Sequence, residues 1–139
     1  FTEAQGTVNL LKLPYREPLE LTGKVAVPAR PVFGPVVANN LVLAHLDDGQ
    51  LYAWTQDLEK AWSIELPNDK IAALVETNSS NSLLVAFESG RVLKVDSSGQ
   101  VSATIELGQP ILHEPLLHNG KYYFTTINGS VLVVDPSNL

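Results

Sequence analysis

The stretch Gly49-Gln-Leu-Tyr-Ala-Trp54 recurs in altered form three more times along this chain of 139 residues. Its counterparts are Gly6-Thr-Val-Asn-Leu10, Gly90-Arg-Val-Leu-Lys-Val95 and Gly129-Ser-Val-Leu-Val-Val134. Each begins with a glycine that ends a tight turn and continues as a strand rich in apolar residues. The four glycines are separated by 43, 41 and 39 residues. A period of about 40 residues built from short strands predicts the blades of a β-propeller.

Aligning the repeats on these glycines predicts two complete blades, over residues 29–67 and 68–108. Each blade is expected to hold four antiparallel strands, because apolar residues alternate or run in short blocks between turn residues. The predicted strands are 31–37, 41–46, 50–54 and 62–66 in the first blade and 71–76, 82–87, 91–95 and 102–107 in the second. The segment 55–60 is predicted as a turn rather than a helix, since it occupies the position of Ser97-Ser98-Gly99.

The two ends of the chain match only parts of a blade. Residues 109–139 supply predicted strands at 111–117, 121–126 and 130–134, without a fourth. Residues 1–28 supply strands at 6–13 and 24–27, which correspond to the third and fourth strands of a blade, with an insertion between them. The predicted fold is therefore an all-β, β-propeller segment spanning residues 1–139, with two complete four-stranded antiparallel blades and parts of two more.

Composition narrows the classes of partner. Hydrophobic residues make up 45% of the chain, yet no apolar run approaches the ~20 residues of a membrane span, so direct membrane insertion is not expected. The net charge is −6 and the nine basic residues are scattered singly, which argues against nucleic acid as a partner. The chain has no cysteine, which excludes disulfides, thiolate metal sites and a cysteine nucleophile. Because it does not begin with methionine, we expect a mature product or an excised piece.

Three groups of residues are candidates for a catalytic or metal-binding site. His113 and His118 are five residues apart with Pro115 between them, and on a strand such residues point to opposite faces, so they are not expected to share a metal ion. The carboxylate pairs Asp47/Asp48 and Asp57/Glu59 lie in predicted turns, where such side chains bond to the backbone. The sequence therefore predicts no catalytic, cofactor-binding or metal-binding residue.

The stretch Leu51-Tyr-Ala-Trp-Thr-Gln-Asp-Leu-Glu-Lys-Ala-Trp-Ser-Ile-Glu-Leu66 resembles the repeat of PQQ-like propellers of the quinoprotein dehydrogenase type. The stretches starting at Val92 and Val131 resemble the same repeat and carry its aspartate, at Asp96 and Asp135. The resemblance implies that Trp62 docks one blade against its neighbour, a role that suits a large flat side chain. Val101 takes the equivalent place in the next repeat, so the docking residue is present in one blade.

The resemblance also raises the question of whether this chain binds a quinone cofactor. Enzymes of this family hold their quinone cofactor with a vicinal disulfide, a stacked tryptophan and ligands to Ca²⁺, and this chain has no cysteine and no matching ligand set. We therefore expect no cofactor and no catalysis by this segment. The alternative is a fragment of a quinoprotein oxidoreductase whose catalytic residues lie outside it.

The leading prediction is a non-catalytic module, a scaffold or sensor, that binds a protein, a peptide or a surface-polymer ligand through its loops and channel mouth. The resemblance points to bacterial extracytoplasmic proteins, including the outer-membrane barrel-assembly lipoprotein and sensor regions attached to kinases. The acidic balance favours a basic or neutral partner. Candidate contact residues are Tyr15, Arg16, Tyr122 and Tyr123, since Tyr and Arg are favoured at interfaces. For Tyr122 and Tyr123 the alternative is that they are alternating core and face residues of a strand.

Self-association is a further expectation. Propellers generally close with four to eight blades, and an open set leaves strand edges and apolar faces exposed. The predicted strand at 24–27 is surplus at one end, while the last blade lacks a fourth strand. Two chains that exchange this strand would form a ring of about six blades.

Overall fold

A computed structural model of the chain describes residues 2–3, 6–11, 21–77 and 81–138. Within these residues the secondary structure is fourteen β-strands and one short 3₁₀-helix, Pro136–Asn138. The strands form four antiparallel sheets, which we number 1 to 4 in chain order. The prediction of an all-β fold is confirmed.

The chain divides into two compact units, Phe1–Pro67 and Asn68–Leu139. The first unit contains sheets 1 and 2, and the second contains sheets 3 and 4. The boundaries predicted for the individual blades stay a prediction.

Sheet 1 has three strands, β1 (Thr2–Glu3), β2 (Thr7–Leu11) and β3 (Leu21–Ala26), in the order β1-β2-β3. The expectation of only two strands at this end was wrong, because the two residues of β1 pair with β2 at Val8 and Thr7. A strand of two residues is too short to show alternation, so the sequence pattern does not reveal it. The strand β3 also begins three residues earlier than predicted.

Sheets 2 and 3 each have four strands in sequential order. Sheet 2 consists of β4 (Pro31–Ala38), β5 (Leu41–Leu46), β6 (Gln50–Trp54) and β7 (Lys60–Glu65). Sheet 3 consists of β8 (Ile71–Glu76), β9 (Leu83–Phe87), β10 (Arg91–Val95) and β11 (Val101–Glu106). All eight strands begin and end within two residues of their predicted bounds. The segment 55–60 is a turn, as predicted, in which the Leu58 N–H donates to the Thr55 carbonyl at 2.9 Å.

Sheet 4 has three strands, β12 (Leu116–His118), β13 (Lys121–Thr125) and β14 (Val131–Val134). The predicted strand at 111–117 was wrong over most of its length. Ile111 makes an isolated bridge to Thr126, and the ladder resumes only at Leu116. Pro115 has no backbone N–H to donate, which explains why regular pairing starts just after it.

The anchor glycines end equivalent turns in sheets 2, 3 and 4, where each donates its N–H to the carbonyl three residues earlier. Their φ angles are 84° at Gly49, 98° at Gly90 and 83° at Gly129, in the region that favours glycine. At Gly90 space is restricted as well, because an added Cβ would collide with the backbone carbonyl of Gln109. Apart from Gly129 and its two chain neighbours, no residue in the described part of the chain has a heavy atom within 4 Å of a Cβ added at Gly129.

The anchor glycine also receives a hydrogen bond from the residue that follows the outermost strand. The bonds, from N–H to carbonyl, are Val27 to Gly6 at 2.8 Å, Leu66 to Gly49 at 2.9 Å and Leu107 to Gly90 at 2.9 Å. Sheet 4 has no fourth strand within residues 81–138, and these residues supply no such donor to Gly129. Within the described residues, the turn of sheet 4 therefore has one backbone hydrogen bond fewer than the turns of the other three sheets.

The second position after each anchor glycine marks one face of its sheet, which we call the front; the opposite face is the back. In the first unit, Val8 on the front of sheet 1 packs against the back of sheet 2, whose core residues are Ala44, Leu46 and Trp54. In the second unit, the front of sheet 3 packs against the back of sheet 4. The residues of that core are Leu84, Ala86 and Val92 from sheet 3 and Tyr122, Phe124 and Val134 from sheet 4. Both units thus use the same front-to-back packing.

Candidate interaction surface

The front of sheet 4 is an exposed and largely apolar surface, which we define by Leu116, Tyr123, Val131 and Val133. Leu116 lies opposite Tyr123, and Tyr123 lies opposite Val133, so the three side chains form one row across the sheet. Val131 lies two residues before Val133 and therefore on the same face. Leu116 is 69% exposed, Val131 63% and Val133 53%. Three large aliphatic side chains thus meet water on one face of a small sheet.

The repeat positions of Val131 and Tyr123 are buried in sheets 2 and 3. Counting from the anchor glycines, Val131 corresponds to Leu51 in sheet 2 and to Val92 in sheet 3, both of which are 0% exposed. Tyr123, which is half-buried, corresponds to the fully buried Leu84. The residue types at the front of sheet 4 are therefore typical of a covered position in this repeat.

The turn between β13 and β14 exposes a further apolar side chain. Ile127 is exposed there, at the position that holds Asp47 in sheet 2 and Glu88 in sheet 3. Those two carboxylates form ion pairs, Asp47 with Arg30 at 3.4 Å and Glu88 with Lys70 at 3.2 Å. Exposed ion pairs contribute little to stability, but they keep a turn polar. In sheet 4 this turn position carries an exposed isoleucine in place of the paired carboxylate.

Tyr123 is the aromatic member of the front surface. Its ring lies 6.4 Å from that of His118, at an interplanar angle of 57°. His118 itself is exposed and pairs with Lys121 across the β12–β13 turn. The tyrosine thus combines an apolar ring with a hydroxyl, beside an imidazole and an ammonium group that remain in water.

Tyr122, the neighbour of Tyr123, points the other way. It is 2% exposed and belongs to the core between sheets 3 and 4. Its hydroxyl donates a hydrogen bond to the backbone carbonyl of Glu76, and burial raises the pKa of the Tyr122 phenol. The prediction of Tyr122 as a contact residue is therefore corrected: alternation along β13 places it in the core.

The other predicted site residues fall in different places. Tyr15 and Arg16 lie outside the described residues. Trp62 is partly buried on β7, opposite Ala53. Its Nε1 is buried and finds no acceptor among the residues that the structure describes. The docking role of Trp62 stays a prediction.

His45 is a buried titratable residue that sequence reasoning missed. It lies on the front of sheet 2, is 8% exposed, and its Nε2 has no partner within the described part of the chain. Burial lowers the pKa of His45, and this outweighs the opposing effects of a hydrogen bond to the Gly49 backbone and the charge of Asp48. The equivalent positions hold Ala86 and Thr125, so the repeat gave no signal of a histidine here.

The repeated aspartates build turns. The Asp96 carboxylate accepts hydrogen bonds from the Ser98 hydroxyl at 2.7 Å and from the Ser98 and Gln100 N–H groups at 2.9 Å, which lowers the pKa of Asp96. Asp135 accepts equivalent bonds from Ser137, with the same effect on its pKa. Asp48 in sheet 2 likewise accepts from the Gln50 N–H. Each of these carboxylates is engaged in a local structural role.

The next feature is the arrangement of possible metal ligands within residues 2–3, 6–11, 21–77 and 81–138. No group of three or more histidine, cysteine, aspartate or glutamate side chains is close enough to hold a metal ion there. His113 and His118 are both exposed. In the same residues no helix is long and apolar enough to cross a membrane.

Comparison with known proteins gives no match to any protein-family description and no match to a curated protein. Solved structures do match. BamB from Moraxella catarrhalis has a TM-score of 0.66 and 16% identity, with 83% of this chain and 35% of that chain covered. BBS1N, solved in complex with ARL6DN and soaked with mercury, has a TM-score of 0.69 and 19% identity, with 94% of this chain and 43% of that chain covered. A second structure of that complex, soaked with lead, has a TM-score of 0.67 and 22% identity.

These similarities concern the fold, since every identity is below 25%. The chain spans less than half the length of the solved proteins that it matches. The matched proteins are β-propellers. Together with the front-to-back packing of two antiparallel sheets within each unit, this shows that the chain has the fold of a β-propeller segment.

Proposed function

We propose that this chain is a non-catalytic interaction module of a β-propeller, and that it binds a protein or peptide partner through the front of sheet 4. The observation that carries the proposal is the exposure of Leu116, Val131 and Val133 on one face, where Val131 stands at a repeat position that is fully buried in sheets 2 and 3. Contiguous apolar surface of this kind marks interaction sites in proteins.

The free energy available at this surface is substantial. Burying one exposed valine or leucine side chain yields roughly 1.5–3 kcal/mol. Three such side chains together offer enough to offset part of the entropy lost on association, which is several kcal/mol. Tyr123 adds an aromatic ring, the residue type most often found among the dominant contacts of interfaces.

The charge of the chain favours a particular class of partner. A net charge of −6 repels acidic proteins and attracts basic ones at long range. BBS1N was solved as a complex with ARL6DN, which supports the view that a fold of this kind can present a protein-binding surface. We propose a basic or neutral protein or peptide as partner.

We further propose that the repeat is of the PQQ-like type and that the parent protein is bacterial and extracytoplasmic. The stretch from Leu51 to Leu66, with its counterparts at Asp96 and Asp135, supports the first point. The structural similarity to BamB supports the proposal of a bacterial extracytoplasmic parent protein. The similarity to BBS1N, which has a similar TM-score, does not support this location. Cell fractionation of the source organism with an antibody against the chain tests the location.

A peptide-display experiment tests the function. Random peptides displayed on phage are selected on the immobilised 139-residue chain, and the Kd of synthetic binders is measured for the wild type, Val131→Glu and Val101→Glu. Val101 is the matched control, because it is an exposed valine on β11 of sheet 3, at 47%. We expect Val131→Glu to weaken binding by about tenfold or more, or about 1.4 kcal/mol, and Val101→Glu to leave it within about twofold. Equal affinities for both variants, or no binders at all, would contradict the proposal.

A cofactor titration addresses the oxidoreductase alternative. Pyrroloquinoline quinone is added with Ca²⁺ while the fluorescence of the two tryptophans is followed. The proposal predicts a linear inner-filter decrease without saturation. Saturable quenching that depends on Ca²⁺ would favour a quinoprotein fragment instead.

A further inference from the structure

We infer that the outer edge of β11 in sheet 3 is a second interaction site, which binds an extended basic segment of a partner protein as an additional antiparallel strand. The inference goes beyond the proposed function, because this site lies on a different sheet and binds through backbone groups. It rests on the direction of those groups and on the side chains that accompany them.

The outer edge of β11 carries backbone groups that no strand pairs. In the strand order β11-β10-β9-β8, and within the described residues, β11 pairs with β10 alone. The Leu107 N–H donates to the carbonyl of the anchor glycine of sheet 3 at 2.9 Å, and backbone direction alternates along a strand. Counting back from Leu107, every second residue points its backbone groups towards β10. The residues between them, Glu106 and Thr104, point their N–H and C=O groups outwards.

The pairing of β11 is regular where these outward groups lie. A bulge separates the pair of Val95 with Val101 from the pair of Lys94 with Ala103. From there to Glu106, each residue of β11 lies opposite one residue of β10. The additional strand would run along these four residues, and Val101 lies outside them.

The side chains of β11 leave this edge unprotected. Native sheets shield their outer strands with charged residues, lysine above all. The position three residues before the donor to the anchor glycine holds the exposed Lys24 on β3 and the half-buried Ser63 on β7, which begins with the exposed Lys60. On β11 this position holds Thr104, which is exposed and β-branched. The strand β11 contains no lysine, arginine or proline, so its edge is the most open of the three to another strand.

Glu106 indicates the chemistry of the partner. Its Oε1 accepts a hydrogen bond from the Arg91 Nε at 2.7 Å, and its side chain is 60% exposed, so the carboxylate remains open to a second cation. A residue opposite Glu106 on an added strand would lie beside this carboxylate, where a positive charge is favourable. The net charge of −6 favours a basic segment in the same way and disfavours a second copy of this chain.

The first test uses peptides selected by phage display on the immobilised wild-type chain. The Kd of each synthetic binder is measured for the wild type, Thr104→Pro, Thr104→Ala and Val131→Glu, with folding verified by circular dichroism. Thr104→Pro removes an outward N–H that the ladder with β10 does not use, and Thr104→Ala is the matched control that keeps it.

We expect a class of binders that Thr104→Pro weakens by at least about tenfold. Thr104→Ala and Val131→Glu should change the Kd of these binders by less than about threefold. If no binder behaves in this way, the inference is overturned.

The second test leaves the protein unchanged and also covers the case in which Thr104→Pro does not fold. Peptides whose binding Val131→Glu leaves intact are N-methylated at one backbone amide at a time. An added strand turns every second N–H towards β11, so we expect losses of about tenfold or more at alternate positions only. Equal effects at neighbouring positions, or no effect at any position, would overturn strand addition.

A third measurement tests the charge of the partner. Glu106→Gln should weaken binders of this class that carry a basic residue by about twofold to fivefold, the range typical of an opposite-charge pair across two strands. An unchanged Kd would overturn the assignment of a basic segment.

The two proposals fail separately. Binders that are lost with Val131→Glu but not with Thr104→Pro support the front of sheet 4, and if all binders are of this kind the edge site is overturned. If all binders are lost with Thr104→Pro and none with Val131→Glu, the edge site stands and the front of sheet 4 is not the interaction surface.

Discussion

Sheets 3 and 4 are built from the same repeat and differ in what lies on their fronts. Val92 and Val131 are the same amino acid at the same distance from their anchor glycines, yet one is 0% and the other 63% exposed. The difference shows that the repeat specifies which side chains point to the front, while the presence of a following sheet determines whether they are buried.

The two sheets also differ at their turns. Sheet 3 has a fourth strand, a bonded Gly90 carbonyl and the ion pair of Lys70 with Glu88. Sheet 4 has an exposed isoleucine at the position of Glu88 and, within the described residues, no donor to the carbonyl of Gly129. These differences allow matched substitutions in the two sheets to be compared directly.

The largest effect is expected from a charge placed on the two fronts. Val92→Asp buries an unpaired carboxylate and is expected to lower the free energy of unfolding by about 4 kcal/mol or more. Val131→Asp, in contact with water, is expected to cost about 1 kcal/mol or less. Urea unfolding of dilute samples, followed by far-UV circular dichroism, checks both. If Val92→Asp does not fold, Val92→Ala, at about 2 kcal/mol, replaces it. Similar losses at both positions would contradict the comparison.

A smaller difference is expected between the anchor glycines. Gly90→Ala forces a side chain into a positive φ and against the Gln109 carbonyl, for an expected loss of about 2–3 kcal/mol. Gly129→Ala meets the positive φ alone, for about 1 kcal/mol. Thermal unfolding of the two variants in parallel measures the difference. Equal shifts in Tm for the two variants would show that the backbone at Gln109 moves to accommodate the added methyl group.

The adjacent tyrosines test the two faces of sheet 4. Tyr122→Phe removes the donor to the Glu76 carbonyl in the core, and we expect a loss of about 1–2 kcal/mol. Tyr123→Phe on the front is expected to change stability by less than about 0.5 kcal/mol. Urea unfolding again provides the measurement. A larger loss for Tyr123→Phe would place its hydroxyl in a contact that the chain alone does not show.

The smallest expected effect is a pH dependence of the free energy of unfolding. It comes from His45 on the front of sheet 2, where sheet 3 has Ala86 instead. Because burial lowers the pKa of His45 in the folded state below its ordinary value of 6.5, the unfolded chain binds the proton more readily. Stability should therefore be full above pH 6.5 and decline as the pH falls towards the lowered pKa. His45→Ala, which copies Ala86, should flatten this part of the profile. An unchanged profile in the variant would assign the dependence to other groups.

Much of this fold could be predicted from the sequence, for physical reasons that are local. The turn of Asp48 and Gly49 and the alternation on either side of it locate β5 and β6 to the residue. Aligning the anchor glycines then predicts the corresponding strands of sheet 3. The prediction fails in sheet 4 where Pro115 interrupts the first strand, and in sheet 1 where β1 is too short to form a pattern and β3 begins three residues earlier than expected.

The candidate surface could not be predicted in the same way. The pattern gives the direction of a side chain but not the presence of a neighbour, so Val131 and Val92 are indistinguishable in sequence. Tyrosine type alone selected Tyr122 and Tyr123 together, although their exposure differs because they lie on opposite faces. The solitary buried His45 depends on its three-dimensional surroundings and has no counterpart in the repeat.

The division of the chain into two units has a spectroscopic consequence. Both tryptophans of the chain, Trp54 and Trp62, belong to the unit Phe1–Pro67. Emission excited at the red edge of the indole band therefore reports on sheets 1 and 2, while sheets 3 and 4 contribute only tyrosine signal. A replacement such as Phe124→Trp in the core of the second unit would give each half its own optical probe. Coincident or separate transitions of the two probes would then reveal whether the halves unfold together.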